Sequence, residues 1–501
     1  MVVNELLVGF STALTFENVL VCLVGALLGT LLGILPGIGS SSGMALLIPL
    51  TLTMDPLQAL ILLAALYYGC EYGGTVSSVL LNTPGDGAAL VTCIDGHPMA
   101  KRGEAAKALA VAAVSSFVAG TLTVVLLSVA APLFADVALN FGPPEMFALI
   151  VLGLTTVGGI AGNARRKGWT MAALGVLVAC VGVEGQTGVL RFTFGSDLLA
   201  NGIGLVPFII GLVAMAELCR QSYENKLRPN RIARTRYRDM LLTRRELGRI
   251  RGSIARGGVL GFLLGCLPGA GPTVATFICY DVEKRVARDK SMFGKGDMRG
   301  VASPEAANNA AVNGSFVPTL SLGIPGSGTT AILLGAFVAF GIRPGPLLFE
   351  QQGDLVWALI ASFYIGNVIL VILNLPLAPL FAKILYIPFK YIYPVVLPVA
   401  LVGAYAVHNS YRDAWIALFF AAVAVLLIRQ GYPPAPAILG IVLGPMLESY
   451  LERSVSMGAG SFGIFLDRPI ALVIFALTIL IFVVPVLLRR RRPEPAPAST
   501  P

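Results

Sequence analysis

Charge is scarce in this sequence. Of its 501 residues only 13% are Asp, Glu, Lys or Arg, against 56% that are hydrophobic, and the mean hydropathy is +0.81. A soluble domain carries roughly 25% charged residues to face water, so the deficit argues against a cytosolic enzyme or a secreted scaffold. Most of the surface is expected to face lipid. Histidine occurs twice, at His97 and His408, which leaves little for a multi-histidine metal centre. The seven cysteines show no CxxC spacing and fall mostly in apolar runs, so they read as small buried hydrophobes. The first eighteen residues hold Glu5 and Glu17 but no Lys or Arg. A cleaved secretory signal starts basic, so the first span is expected to stay in the mature protein. Lys and Arg (36) outnumber Asp and Glu (27), giving a net charge of +9. They cluster at 220–256 and 489–492, beside apolar spans, as the positive-inside bias of membrane insertion produces, and not as a nucleic-acid footprint.

What the chain has in abundance is apolar length. Charge-free stretches run over 18–54, 108–135, 146–164, 198–216, 257–280, 306–342, 355–382, 391–407, 414–428, 431–447 and 469–488, joined by 56–94 and 168–183. A crossing takes about 20 residues, so the pattern predicts an all-α polytopic membrane protein of about ten to twelve transmembrane helices. Lys101, Arg102, Lys107, Arg165, Arg166, Lys167, the 220–256 block, Lys383, Lys390, Arg429 and 489–492 share one side. Asp136, Glu145, Asp197, Glu350 and Asp354 mark the loops between. The first set is expected to be cytoplasmic, with the N-terminus outside and the C-terminus inside.

The sequence repeats itself. Gly29, Gly33, Pro36, Gly37 and Gly39 recur 232 positions on as Gly261, Gly265, Pro268, Gly269 and Gly271. Gly73, Pro84, Gly85 and Gly87 recur 241 positions on as Gly314, Pro325, Gly326 and Gly328. A third block, from Pro98 to Trp169, recurs at 246. The basic loop at Lys101 matches the acidic loop at Glu350, so the copies are expected to be inverted in the membrane, a common plan of secondary transporters. The expected organisation is a first repeat over 1–219, a basic cytoplasmic linker over 220–256, a second repeat over 257–488 and a basic, Pro-rich tail over 489–501.

Four Pro-Gly segments break the apolar helices: ILPGIGSSSG (34–43), LLNTPGDGAA (80–89), CLPGAGPT (266–273) and LGIPGSGTT (322–330). Backbone inside a membrane must have its N–H and C=O groups satisfied, so such breaks are tolerable where protein, water or ligand completes them. The functional reading is that the four breaks meet, with hydroxyls and half-helix N-termini directed at an anion. Its candidates are Pro36, Gly37, Gly39, Ser40, Ser41, Asn82, Thr83, Pro84, Gly85, Pro268, Gly269, Gly271, Thr273, Asn309, Asn313, Pro325, Gly326, Ser327 and Thr329. The alternative is that the small residues only allow close helix packing. GIGSSSG lacks the Lys of a phosphate-binding loop and is not read as a nucleotide site. Glu71 and Asp86 are the carboxylates most nearly inside apolar sequence and are the candidates for a coupling cation, although Asp86 equally suits a hydrated loop mouth. Glu217 and Glu448 read as interfacial, and Asp95, His97, Lys101 and Arg102 as turn and anchor residues. No catalytic constellation or metal site is evident. An intramembrane enzyme and a passive anion channel remain as alternatives, and no nucleic-acid partner is expected.

With LLGILPGIG, YYGCEYGGTVSSVLLNTPGDGAALVTCIDGHPMAKRGEAAKAL, GVASPEAANNAAVNGSFVPTLSLGIPGSGTTAILLGAF and CLPGAGPT, the chain resembles the large membrane subunit of the tripartite tricarboxylate transporters over nearly its whole length. The resemblance implies a bacterial inner-membrane permease working with a small membrane subunit and a periplasmic solute-binding protein. It also implies carboxylate uptake driven by a sodium or proton gradient; no cofactor is expected. The family's substrate site carries onto Pro36–Ser42, Asn82–Gly85, Pro268–Thr273 and Pro325–Thr330.

Overall fold

The computed structural model describes residues 2–35, 37–160, 165–184, 188–224, 240–384 and 389–490. Helices make up the architecture, and the one strand pair among the described residues is a two-residue antiparallel ladder, Gly182–Val183 with Leu190–Arg191. Among those residues five helices are long and apolar enough to cross a membrane: Phe16–Ile34, Pro56–Leu81, Ala105–Ala138, the 353–375 part of Gly353–Ile384, and Tyr411–Arg429. Shorter apolar helices, among them Gly328–Ala339 and Pro469–Ile481, complete the bundle. The protein is an all-α polytopic membrane protein.

Two helices form its centre. Pro56–Leu81 starts at Asp55, whose carboxylate accepts the Leu57 N–H (3.0 Å), and ends on Asn82 in the left-handed region (φ 56°). Met298–Leu322 starts at Asp297, which accepts the Arg299 N–H (2.9 Å), and ends on Gly323 at φ 69°. Both are buried along nearly their whole length. Each lies against one glycine-bearing helix, because a side chain on the glycines would strike backbone. A Cβ on Gly29 or Gly33 would meet the carbonyl of Leu66 or Cys70, and one on Gly265 that of Ala311. For these glycines close packing is therefore the observed role. The later helices cross over: Gly440 of Ala435–Met457 sits against Ala172 of Arg165–Ala179, and Gly211 against Ala417 of Tyr411–Arg429.

The long apolar stretches break where proline and glycine fall. The 18–54 stretch divides into Phe16–Ile34 and Gly39–Thr51, 257–280 divides at Gly265 and Gly271, and 306–342 divides into Met298–Leu322 and Gly328–Ala339. The helix carrying the first part of 257–280 already starts at Arg244, inside the 220–256 segment, on a capping box of Thr243 and Glu246. Residues 225–239 of that segment and the tail from 491 lie outside the described residues. At one end of the bundle Lys107 pairs with Glu246 (2.7 Å), Arg249 with Asp297 (3.3 Å), and Arg102 donates to the Gly296 carbonyl (2.6 Å).

Candidate functional site

The four breaks converge. Gly37 N–H donates to the Gly85 carbonyl at 3.1 Å, joining the first break to the second, and Gly269 N–H donates to the Gly326 carbonyl at 3.0 Å, joining the third to the fourth. The backbone torsions repeat as well: φ is 82° at Gly37 and 81° at Gly269, 60° at Gly39 and 56° at Gly271. Positive φ costs an L-residue side-chain clash, which is why glycine occupies these corners.

Between the breaks lies a cavity of about 300 Å³. Ser40, Ser41, Asp86, Gly269, Gly271, Thr273, Ser327 and Thr329 line it, together with Tyr67, Glu71, Pro433, Ala435 and Pro436. An adjoining cavity of about 340 Å³ is lined by Gly37, Gly39, Pro84, Gly85 and Arg220, and shares Ser40, Ser41 and Asp86 with the first. Three helices start here: Gly39–Thr51, Gly271–Val286 and Gly328–Ala339. The last is capped by its own residues, since Ser327 Oγ accepts the Thr330 N–H (3.1 Å) and Thr330 Oγ1 accepts the Ser327 N–H (2.8 Å). The other two are preceded by Ile38 and Ala270, which offer no side-chain cap. Their first-turn N–H groups have no partner within the helix, so the cavity wall presents donors and about half a positive charge per terminus.

Two carboxyl groups face these termini. Ser40 Oγ lies 2.9 Å from Glu71 Oε1, 3.2 Å from Asp86 Oδ2 and 3.0 Å from Thr329 Oγ1. Ser41 Oγ lies 2.9 Å from the same Thr329 hydroxyl, and Tyr67 OH 3.1 Å from Ser327 Oγ. Glu71 is buried, and its Oε2 makes no hydrogen bond among the described residues, with Asp86 and Asn308 as polar neighbours. Asp86 Oδ1 accepts the Ala88 N–H at 2.6 Å. The site can thus present N–H donors to an anion and a hydroxyl-bridged pair of carboxylates to a cation.

Other candidates have different surroundings. Asn82 is exposed at its helix C-cap, and Thr83 Oγ1 donates to the Leu81 carbonyl (3.3 Å). Asn309 donates to the Glu305 carbonyl (3.3 Å), and Asn313 to Gly120 O (3.0 Å) and Thr123 Oγ1 (2.8 Å), both amides buried between helices. Pro268 accepts from Thr156 through its carbonyl, and Pro325 and Gly326 are buried in the fourth break without lining either cavity. Pro36 lies outside the described residues. Asp95 acts as an anchor: Oδ1 accepts the N–H groups of Gly294, Gly296 and Asp297, and Oδ2 the Tyr280 hydroxyl. Glu217 pairs with Arg220, and Glu448 is gripped by both terminal nitrogens of Arg191. Tyr67 and the start of Ala435–Met457 with the preceding Pro433 are not among the candidates drawn from the sequence. PPAP at 433–436 was the available signal, because proline there opens a helix, Ala435–Met457, at the cavity wall.

A model of the family described as tripartite tricarboxylate transporter TctA matches residues 19–439. Two Agrobacterium vitis proteins are similar. An uncharacterized 52.8 kDa protein in the TAR-I ttuC' 3' region is 42% identical over 469 residues, covering 94% of this chain and 93% of its own. An uncharacterized protein in the TAR-II ttuC' 3' region is 44% identical over 211 residues, 42% of this chain and 87% of its own. No solved structure matches. The length of the match, over a helical membrane protein whose paired Pro-Gly breaks share one cavity, places this chain in the tripartite tricarboxylate transporter TctA family, a family of transporters.

Proposed function

We propose that the chain is the large permease subunit of a cation-coupled importer of small carboxylates in the bacterial inner membrane. A periplasmic solute-binding protein delivers the anion, and a small membrane subunit completes the assembly. The reading rests above all on the cavity between the four breaks, where two uncapped helix N-termini face Glu71 and Asp86. Its volume of about 300 Å³ sits at the small end of ligand pockets, suiting a di- or tricarboxylate. Two or three termini offer roughly one to one and a half positive charges, too few for a multiply charged anion beside two acids. A co-bound sodium ion or proton at the Glu71–Ser40–Asp86 bridge offsets the difference.

Inverted repeats fit the same reading, since halves of opposite orientation exchange conformations to open either face. The equivalent bonds Gly37–Gly85 and Gly269–Gly326 favour that relation, and the basic loops favour a periplasmic N-terminus and a cytoplasmic C-terminus. Anion entry against a negative-inside potential costs about 2.3 kcal/mol per charge per 100 mV, which coupled cations must exceed. The test is uptake into proteoliposomes holding both membrane subunits, with the binding protein outside. Carboxylate accumulation is expected to collapse when the cation gradient is dissipated. Accumulation indifferent to both Na⁺ and ΔpH refutes the coupling, and downhill flux without the binding protein favours a channel.

A further inference from the structure

Outside the cavity one buried carboxylate has only hydroxyl partners among the described residues. Glu305, on Met298–Leu322, accepts from Thr75 Oγ1 (2.8 Å) and Thr92 Oγ1 (2.5 Å) on Oε1, and from Ser116 Oγ (3.4 Å) on Oε2. All four residues are at least nine-tenths buried, and they come from four helices: Met298–Leu322, Pro56–Leu81, Leu90–Lys101 and Ala105–Ala138. No Lys, Arg or His pairs with Glu305 among the described residues. Other buried acids are compensated differently. Glu283 meets Arg256, Asp297 meets Arg249 and Arg299, and Asp95 collects three backbone N–H groups. A buried carboxylate held by neutral hydroxyls alone is costly in a low-dielectric interior, and a bound cation or a proton relieves that cost.

We propose that Glu305, Thr75, Thr92 and Ser116 form a sodium site. Each hydroxyl has one proton and two lone pairs, so it can turn from donating to the carboxylate to coordinating an ion. The donor set is all oxygen, which selects a hard cation, and its single negative charge balances a monovalent one. The three hydroxyls come from three different helices and converge on one carboxyl group as ligands for an ion, and a proton on Oε1, which Thr75 or Thr92 Oγ1 can accept, is the competitor that the test separates. Bound sodium ties Leu90–Lys101, the helix that follows the second break, to both central helices through Thr92. Thr75 is one turn beyond Glu71 on the same helix, so occupancy of this site fixes the wall that carries Asp86. That last, coupling step rests on the transport reading; the sodium site itself does not.

The test is equilibrium binding of radioactive Na⁺ to the purified permease with its small membrane subunit, with no carboxylate present, alongside Na⁺- and K⁺-dependent thermal shifts. Glu305→Gln is expected to lower the Na⁺ stoichiometry by one, or to weaken that site by at least about tenfold. Thr92→Val is expected to weaken it similarly and Thr92→Ser to restore it, a rescue that packing alone would not follow. If Glu305→Gln fails to fold, Thr75→Ala and Ser116→Ala carry the test with graded losses. Unchanged Na⁺ stoichiometry and affinity in these variants overturn the proposal, as does a response of Glu305→Gln confined to the pH profile. Because substrate is absent, failure of the carboxylate reading leaves this measurement untouched.

Discussion

Ser40 has one hydroxyl proton and three oxygen neighbours, Glu71 Oε1, Asp86 Oδ2 and Thr329 Oγ1. The residue therefore joins the acid pair to the opposite half of the molecule, and any cation placed at the pair changes what Ser40 can donate to. A hydrogen bond to a charged group is worth about 1.5–3 kcal/mol, so Ser40→Ala is expected to lower uptake roughly ten- to hundredfold. Ser362→Ala is the comparison. Its hydroxyl donates to the Leu359 carbonyl of its own helix at 2.6 Å, and uptake at equal membrane abundance is expected to stay near wild type. Equal activities in the two variants would contradict the assignment. At this scale composition alone did not sort the candidates. Ser40, Ser327 and Thr329 reach the cavity, while Asn82 caps a helix and Asn313 bonds across an interface, because a polar residue near a break can turn either toward the cavity or back to backbone.

Among elements, the short half-helices Gly39–Thr51, Gly271–Val286 and Gly328–Ala339 shape the cavity. Proline and glycine at the breaks were legible because they act on the backbone, whose torsions follow directly from those residue types. The burial of Glu305 was not, since its partners Thr75, Thr92 and Ser116 come from helices far away in sequence. The charged end of the bundle shows a different use of helix starts. Lys107 and then the Thr243 N–H, with the Thr243 hydroxyl, hold the Glu246 carboxyl down at about 2, below its ordinary value near 4.3. A carboxyl lowered by folding stabilises the native state above its ordinary value, and that stabilisation is lost as pH falls toward the lowered one. The melting midpoint is therefore expected to drop as pH falls from about 4.5 to about 2. Glu246→Gln is expected to flatten part of that slope, and the same slope in the variant would show that the clamp contributes nothing there.

Across the whole molecule, two central helices with left-handed C-caps, two paired breaks and two uncapped helix starts recur at the spacing of the sequence repeat. The repeat was readable because it is written in glycine and proline at fixed offsets. The crossing of the later helices between halves was not, since apolar spans of similar composition do not specify their neighbours. Polar groups are arranged on the same plan: carboxyl groups and helix N-termini share one cavity, so on the proposed reading an anion would offset the termini and a cation the acids. The most direct measurement is a structure of the assembled permease with its transported carboxylate and Na⁺ bound. Carboxylate oxygens are expected within hydrogen-bond distance of first-turn N–H groups of both Gly39–Thr51 and Gly271–Val286. An anion seated outside this cavity, or held there by Lys or Arg side chains without those N–H groups, would contradict it.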